Sequence, residues 1–420
     1  MRLPPMIASL RKHKLTAWLL ALQVAVTCAV VCNAAFLIVQ RMQRVDVPSG
    51  LTEAGLSGIM LAPLHPGSFP LDGYLADVNA VRGIAGVQSA SLIDEFPLDG
   101  SESSATVCGS LKAAQALIAS HSRRVPGCAQ PALYAGSEHI VRTLGLKMVQ
   151  GRALQMSDFV PGKPGYQTGP VATVIISQAL ADHLYPGKSA VGQPLYYEGG
   201  LASGKAVRVG GVAAHLQRGR LSNPADVDLG MLLPSEPDDP EVFLAIRSNA
   251  LDQARVLKAA TALLRKRHPD ALADAYRGQT YAQIRARYFQ RDTTMIGLLM
   301  AAAIGLLFVT ALGIGGLANF WVGQRTRAIG IRRAVGARQR DILAYFHTEN
   351  ALIVGVGVVF GLLLAYALNI YLMHRYEIHR LPWIYLPIGA LALWALGQLS
   401  VFHPALRASR VPPVVATRAV

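Results

Sequence analysis

The sequence predicts a membrane protein: four transmembrane helices, with one large extracytoplasmic α/β domain inserted between helices 1 and 2. Three observations predict it. Four long stretches carry no charged residue. Only 15% of the 420 residues are charged, against about 25% in ordinary soluble chains, and mean hydropathy is +0.33. The net charge of +15 is spread very unevenly.

The uncharged stretches are Leu15–Gln40, Thr293–Gln324, Asn350–His374 and Leu381–Leu406, of 26, 32, 25 and 26 residues. A spanning helix needs about 20 apolar residues, and a buried soluble helix is usually shorter. The first stretch follows basic residues, as a signal peptide would, but it far exceeds the 7–15 apolar residues of such a peptide.

Residues 46–291 hold 23 Lys+Arg and 21 Asp+Glu, a net of +2. Most of the remaining basic residues fall in three short stretches: Arg2, Arg11, Lys12 and Lys14; Arg325, Arg327, Arg332, Arg333, Arg338 and Arg340; and Arg407, Arg410 and Arg418. Short loops rich in Lys and Arg stay in the cytoplasm, whereas long domains cross regardless of charge. Four spans put all three stretches on one side. Both termini are therefore expected inside, and the 46–291 region and the 375–380 loop outside. The charge labels topology, and no nucleic-acid partner is expected.

The resulting division is a cytoplasmic segment (1–14), a first span (15–40) and an outer α/β domain ending in a stalk helix (41–291). A second span (293–322), a cytoplasmic loop (323–345) and a third span (348–374) follow. A short outer loop (375–382), a fourth span (383–404) and a cytoplasmic tail (405–420) complete it.

Within the outer domain, helices are expected over Gly73–Arg82, Gln178–Leu184 and Asp252–Arg267. The last has Ala254, Leu257, Ala260, Leu263 and Leu264 at helical spacing. Strands are expected over Val87–Ile93, Val171–Ser177, Val207–Val212 and Val242–Arg247. From Thr280 a helical pattern enters the second span without a proline, which predicts one long stalk. Cys108 and Cys128 are a disulfide candidate if the compartment is oxidising. Cys28 and Cys32 share a helix face and read as small packing residues. Gly357-x-x-x-Gly361 is a close-packing motif that could serve a dimer contact.

Catalytic signals are missing. Gly187-Lys188-Ser189 ends like a phosphate-binding loop, but Asp182 stands where that loop needs a glycine. The sequence has no H-E-x-x-H, paired C-x-x-C or G-x-S-x-G, so neither a metal site nor an enzyme is expected. Asp238 and Asp239 read as a solvated turn.

The informative stretch is QRTRAIGIRRAVGARQRDILA, Gln324–Ala344. Its arginines alternate with Ile329, Ile331, Ala334, Val335 and Ala337, and Gly330 and Gly336 permit a turn or close approach. This predicts a short amphipathic element docked on a protein or headgroup surface. Arginine suits such an interface because its planar fork pairs carboxylates bidentately.

The run Arg325–Ala337, with Ile342, resembles the cytoplasmic loop of the MacB/FtsX-like ABC transporter permease family, whose usual pattern is R-T-R-E-I-G-I-R-x-A-x-G-A. SLRKHKLTAWLLAL, VIISQALADHLYPGKSAVGQPL and HPALRASRVPPVVATR resemble that family's entry to the first helix, its periplasmic core domain and its C-terminal tail. Ala328 replaces the usual acid, and Pro412 stands where the tail usually has Asp.

The resemblance implies a permease subunit in a bacterial inner membrane, without its own nucleotide-binding domain or bound cofactor. ATP and Mg would sit on a partner ABC ATPase. A second permease chain, identical or not, is implied, and a membrane-fusion adaptor and outer-membrane channel could join. It further implies mechanotransmission, in which ATP-driven motion reshapes the periplasmic domain to export a peptide, antibiotic or amphiphile. Lipoprotein release, control of a cell-wall hydrolase, or a membrane-anchored sensor are the alternatives. The residues expected to couple to the ATPase are Arg327, Ile329, Ile331, Arg332, Arg333 and Arg338.

Overall fold

The computed structural model describes residues 14–61, 71–120, 125–159, 173–197, 201–202, 204–221, 228–235, 242–268, 277–376 and 382–410. Arg2, Arg11, Lys12, Asp238, Asp239, Arg380, Pro412 and Arg418 lie outside them. The chain forms two compact units: residues 47–290, and residues 1–46 with 291–420.

In the first unit, the described residues build a 12-stranded sheet in the order β12-β1-β11-β2-β5-β10-β7-β9-β8-β3-β4, with β6 on β9. The strands are β1 Leu56–Leu61, β2 Val87–Ile93, β3 Val107–Cys108, β4 Cys128–Ala129, β5 Ala132–Gly136 and β6 Met148–Gly151. They continue with β7 Thr173–Ser177, β8 Pro194–Tyr197, β9 Val207–Ala213, β10 Gly230–Pro234, β11 Val242–Ser248 and β12 Gly278–Thr280. Most pairings are antiparallel, but β5 and β10, and β7 and β9, run parallel. Residues of β1, β5, β10 and β11 are buried almost throughout, as expected for strands covered on both faces.

Helix α2 (Leu71–Arg82) and helix α6 (Gln253–Arg267) cover β1, β2 and β11 through Tyr74, Val78, Val81, Val256, Ala260 and Leu264. The last three recur every fourth residue and define the inner stripe of α6. Ala254, expected on that stripe, is exposed instead. The end of α6 is tied to the middle of α2, where buried Asp77 accepts from Arg267 Nε and meets His268 Nε2, both at 2.6 Å. Helix α4 (Ile140–Leu144) and helix α7 (Tyr281–Tyr288) join a second core with Phe96, Tyr134 and Leu232. Helix α3 (Leu111–Ser120) packs on the joined Cys108–Cys128 disulfide, and helix α5 (Gln178–Leu184) on the β7–β9 core.

A buried arginine that the sequence did not flag, Arg247, has no carboxylate among its hydrogen-bond acceptors. It donates to the carbonyls of Thr143, Thr52 and Ala54 at 2.9, 2.7 and 2.7 Å, and burial pushes its pKa down.

The second unit is helical: α1 Lys14–Val45, α8 Gln290–Ala334, α9 Gln339–Tyr376 and α10 Tyr385–Ser409. All four are long and apolar enough to cross a membrane. Large apolar side chains such as Leu298, Ile304, Phe308 and Leu312 stay exposed on α8, as lipid-facing residues would. The unbroken stalk expected from Thr280 is instead two helices, α7 and α8, separated at Phe289, whose φ and ψ of −87° and 6° leave the helical range.

Glycine seams hold α1, α9 and α10 together. A Cβ on Gly357 would lie 2.8 Å from Ala21 O, and one on Gly389 would lie 2.3 Å from Cys32 Sγ. Gly357 and Gly361 therefore face α1 of their own chain, and this face is not open to the dimer contact considered from the sequence. Small residues let backbones approach where lipid supplies no hydrophobic drive. Asn33 Nδ2 crosses the α1–α9 seam to Ala365 O at 3.1 Å, and Asn350 Nδ2 crosses to Gly397 O of α10 at 2.9 Å.

Candidate functional site

The arginine-rich stretch expected as a loop over 323–345 is mostly helix. Helix α8 runs on to Ala334 and α9 starts at Gln339. At 45 residues and about 1.5 Å each, α8 is roughly 68 Å long, more than twice the ~30 Å hydrocarbon thickness. Its last turns therefore have length to spare beyond a span.

The turn between the helices is written in the sequence. Gly336 N–H donates to Arg333 O at 3.1 Å, and Ala337 N–H donates to Arg332 O at 3.0 Å. These two bonds form a Schellman motif, which needs a left-handed residue, and Gly336 supplies it with φ of +102°. Asp341 then caps α9: its Oδ2 accepts from Arg338 N at 2.9 Å. The result is a helical hairpin with a four-residue tip, 335–338.

The expected coupling residues divide by exposure. Arg327, Ile331, Arg332 and Arg338 are exposed, Arg333 is half-buried and Ile329 is 5% exposed. Ile329 belongs to the buried helical cluster that includes Ile342 and Phe346, so it does not share the exposure of Ile331. Val335, not chosen from the sequence, is 84% exposed at the tip. Arg327, Ile331 and Val335 stand at i, i+4 and i+8 and share a face. That face offers apolar Ile331 and Val335 among arginines, a surface suited to an apolar groove with acidic edges. Arg332 also lies over the Tyr345 ring, 5.1 Å from its centroid, which fixes one arginine against the opposite arm. Ala328 is exposed on α8.

At the hairpin base, Arg325 Nη1 donates to Glu349 Oε2 at 2.7 Å. In the sequence both residues flank spans and read as boundary charges, and only the hairpin turns their 24-residue separation into a contact.

The α/β unit carries a cavity of about 570 Å³ lined by Ile140, Val141, Leu146, Met148, Leu154 and Phe159, with Glu138, His139 and Arg142 among its polar groups. His139 adopts a left-handed φ of +65°, uncommon for a side-chain-bearing residue. Among the described residues, no three His, Cys, Asp or Glu come together as a metal set. Ser177, Asp228 and His215 form no catalytic relay: Ser177 Oγ donates to the Asp228 backbone carbonyl, while His215 Nδ1 meets the carboxylate at 2.8 Å.

Residues 300–413 match the family model described as FtsX-like permease C-terminal. This segment contains the hairpin. Among curated proteins, the chain is 32% identical over 209 residues to the pyoverdine export ATP-binding/permease protein PvdT of Pseudomonas syringae pv. tomato, covering 48% of this chain and 31% of that one. It is 32% identical over 160 residues to the macrolide export ATP-binding/permease protein MacB of Nitrobacter winogradskyi, covering 38% and 24%. The chain thus spans about a quarter to a third of the length of these two relatives. Among solved structures, it is similar to the extracellular domain of the noncanonic ABC-type transporter YknZ from Gram-positive bacteria, with 18% identity and a TM-score of 0.33, covering 53% of this chain and 99% of that one. The periplasmic region of MacB from Actinobacillus actinomycetemcomitans gives 13% and 0.34, covering 58% and 97%.

Proposed function

We propose that this chain is the permease subunit of an export ABC transporter, coupling ATP hydrolysis on a partner ATPase to shape changes in its α/β domain. The α8–α9 tip is the observation that carries the reading. An exposed Ile331 and Val335 among arginines at the end of a helical hairpin is a handle for a partner. The FtsX-like match covers that hairpin, and the relatives' names join ATP binding, permease and export.

On this reading the protein sits in a bacterial inner membrane with both termini and the hairpin tip in the cytoplasm, and it works beside a second permease chain. ATP and Mg bind the ATPase, for which this sequence has no phosphate-binding loop of its own. Closure of the ATPases moves the tips, and the motion travels along α8 to the α/β domain. The work is mechanical, so substrate need not cross the bilayer through this chain. ATP drives such closure only if the tip makes different contacts in the two states. The exported molecule is a peptide, antibiotic or other amphiphile; the 570 Å³ cavity, lined largely by apolar side chains, has the size of a small-ligand site. An adaptor and an outer-membrane channel complete the route.

Arg332→Glu combined with Arg333→Glu tests the coupling. The variant should keep its fold but bind the partner ATPase at least tenfold more weakly, and the transport-linked stimulation of that ATPase should be lost. Unchanged coupling counts against the tip as the contact.

A further inference from the structure

We propose that the Arg325–Glu349 ion pair is a positioning clamp that makes the two arms of the α8–α9 hairpin move as one body. The proposal rests on the reading that a partner pushes on the hairpin tip.

Glu349 has a side chain only 2% exposed, and Arg325 one that is 21% exposed. A buried carboxylate inside a helical membrane unit is costly unless paired. Its persistence there calls for a use beyond stability, since buried ion pairs are weak sources of net stability. The position supplies one. Arg325 stands eleven residues before Gly336, and Glu349 stands eleven after Arg338. At about 1.5 Å per residue, both lie roughly 16 Å from the tip, at the same level on opposite arms.

Between the pair and the tip the arms meet through side chains: Ile329, Ile342 and Phe346 belong to one buried cluster, and Arg332 stacks over Tyr345 at 5.1 Å. On the other side of Glu349, the same stretch of α9 is fastened to α10. Asn350 Nδ2 donates to Gly397 O, and His347 Nδ1 meets Gln398 Oε1, both at 2.9 Å. Glu349 thus sits where α9 is held to α8 and to α10 at once. A small cavity of about 10 Å³ beside it is lined mainly by apolar side chains, together with Glu349 and Asn350, and Trp321 Nε1 is buried with no hydrogen-bond partner among the described residues. In these mainly apolar surroundings the ion pair is a directional contact, where apolar packing alone would let the arms slide.

The test uses the full chain in lipid nanodiscs and reads amide hydrogen exchange over residues 326–346. Glu349→Gln should speed exchange there at least tenfold while the α/β unit keeps its protection. The reversed pair, Arg325→Glu with Glu349→Arg, should restore protection to within about threefold. If the reversed pair does not fold, Arg325→Lys should retain the protection that Arg325→Gln loses. Unchanged exchange in Glu349→Gln overturns the clamp, as does loosening that neither the reversed pair nor Arg325→Lys prevents. Failure of the docking reading is separate and would show as ATPase capture that Arg332→Glu with Arg333→Glu leaves intact. With docking intact, Glu349→Gln should still capture the ATPase but uncouple its hydrolysis from transport.

Discussion

Gly361 of α9 lies so close to Cys28 of α1 that a Cβ at the glycine would stand 2.4 Å from the Cys28 Cβ and 2.8 Å from Ala25 O. Neither backbone can give way, because the same seam is repeated at Gly357 against Ala21 and Val24. Gly361→Val should therefore destabilise the helical unit by about 1–3 kcal/mol through overpacking. Gly355→Ala, with nothing within 4 Å of its added Cβ, should not. Melting temperatures of the two purified variants in one detergent check this; equal losses would refute the seam.

The Cys108–Cys128 disulfide closes a 20-residue separation and forms a core with Ala113 and Ala114 of α3. A loop of that length is worth about 3 kcal/mol by constraining the unfolded chain. Cys108→Ser with Cys128→Ser should lower the denaturant midpoint of the α/β unit, and reductant should do the same to the native chain. Proteolysis should begin near α3. An unchanged midpoint would show that the strand pairing of β3 and β4 holds this corner by itself.

Asp99 gives the α/β unit a pH dependence. Burial raises its pKa to about 6, against the pull of hydrogen bonds from Ser101 and Phe96 N–H and with the added push of Glu95. The native state therefore holds this proton more tightly than the unfolded chain does. Stability from this group is full below about pH 4, falls as pH rises toward 6, and is flat above. Asp94, fully buried with Oδ2 unpartnered, is pushed up as well and acts in the same direction. Asp99→Asn should flatten the fall in denaturant midpoint between pH 4 and 6. A slope identical to that of the native chain would place the titration elsewhere.

Much of the helical unit was legible because length and charge are strong signals. A 26-residue gap such as Leu15–Gln40 admits few readings. The strands expected over Val87–Ile93 and Val242–Arg247 form over Val87–Ile93 and Val242–Ser248. The sheet order was not legible, since β11 pairs with β1 across most of the domain and no local pattern encodes that. The site was half legible. Six arginines marked the hairpin and an amphipathic element was expected there, but whether Ile329 or Ile331 faces out depends on helical phase, and the two arms emerge only with the Schellman turn at Gly336. Arg247 and Glu349 were invisible because a buried charge and a surface charge look alike in sequence.

On the proposed function, the hairpin tip is gripped by an ATPase subunit. The most direct measurement is affinity purification of the tagged full chain from its native membrane, with the co-purifying chains identified. The native chain should bring down an ABC ATPase, and Arg332→Glu with Arg333→Glu should lose it at least tenfold while folding normally. A native chain that brings down no ATPase, or a variant that retains it fully, would contradict the claim.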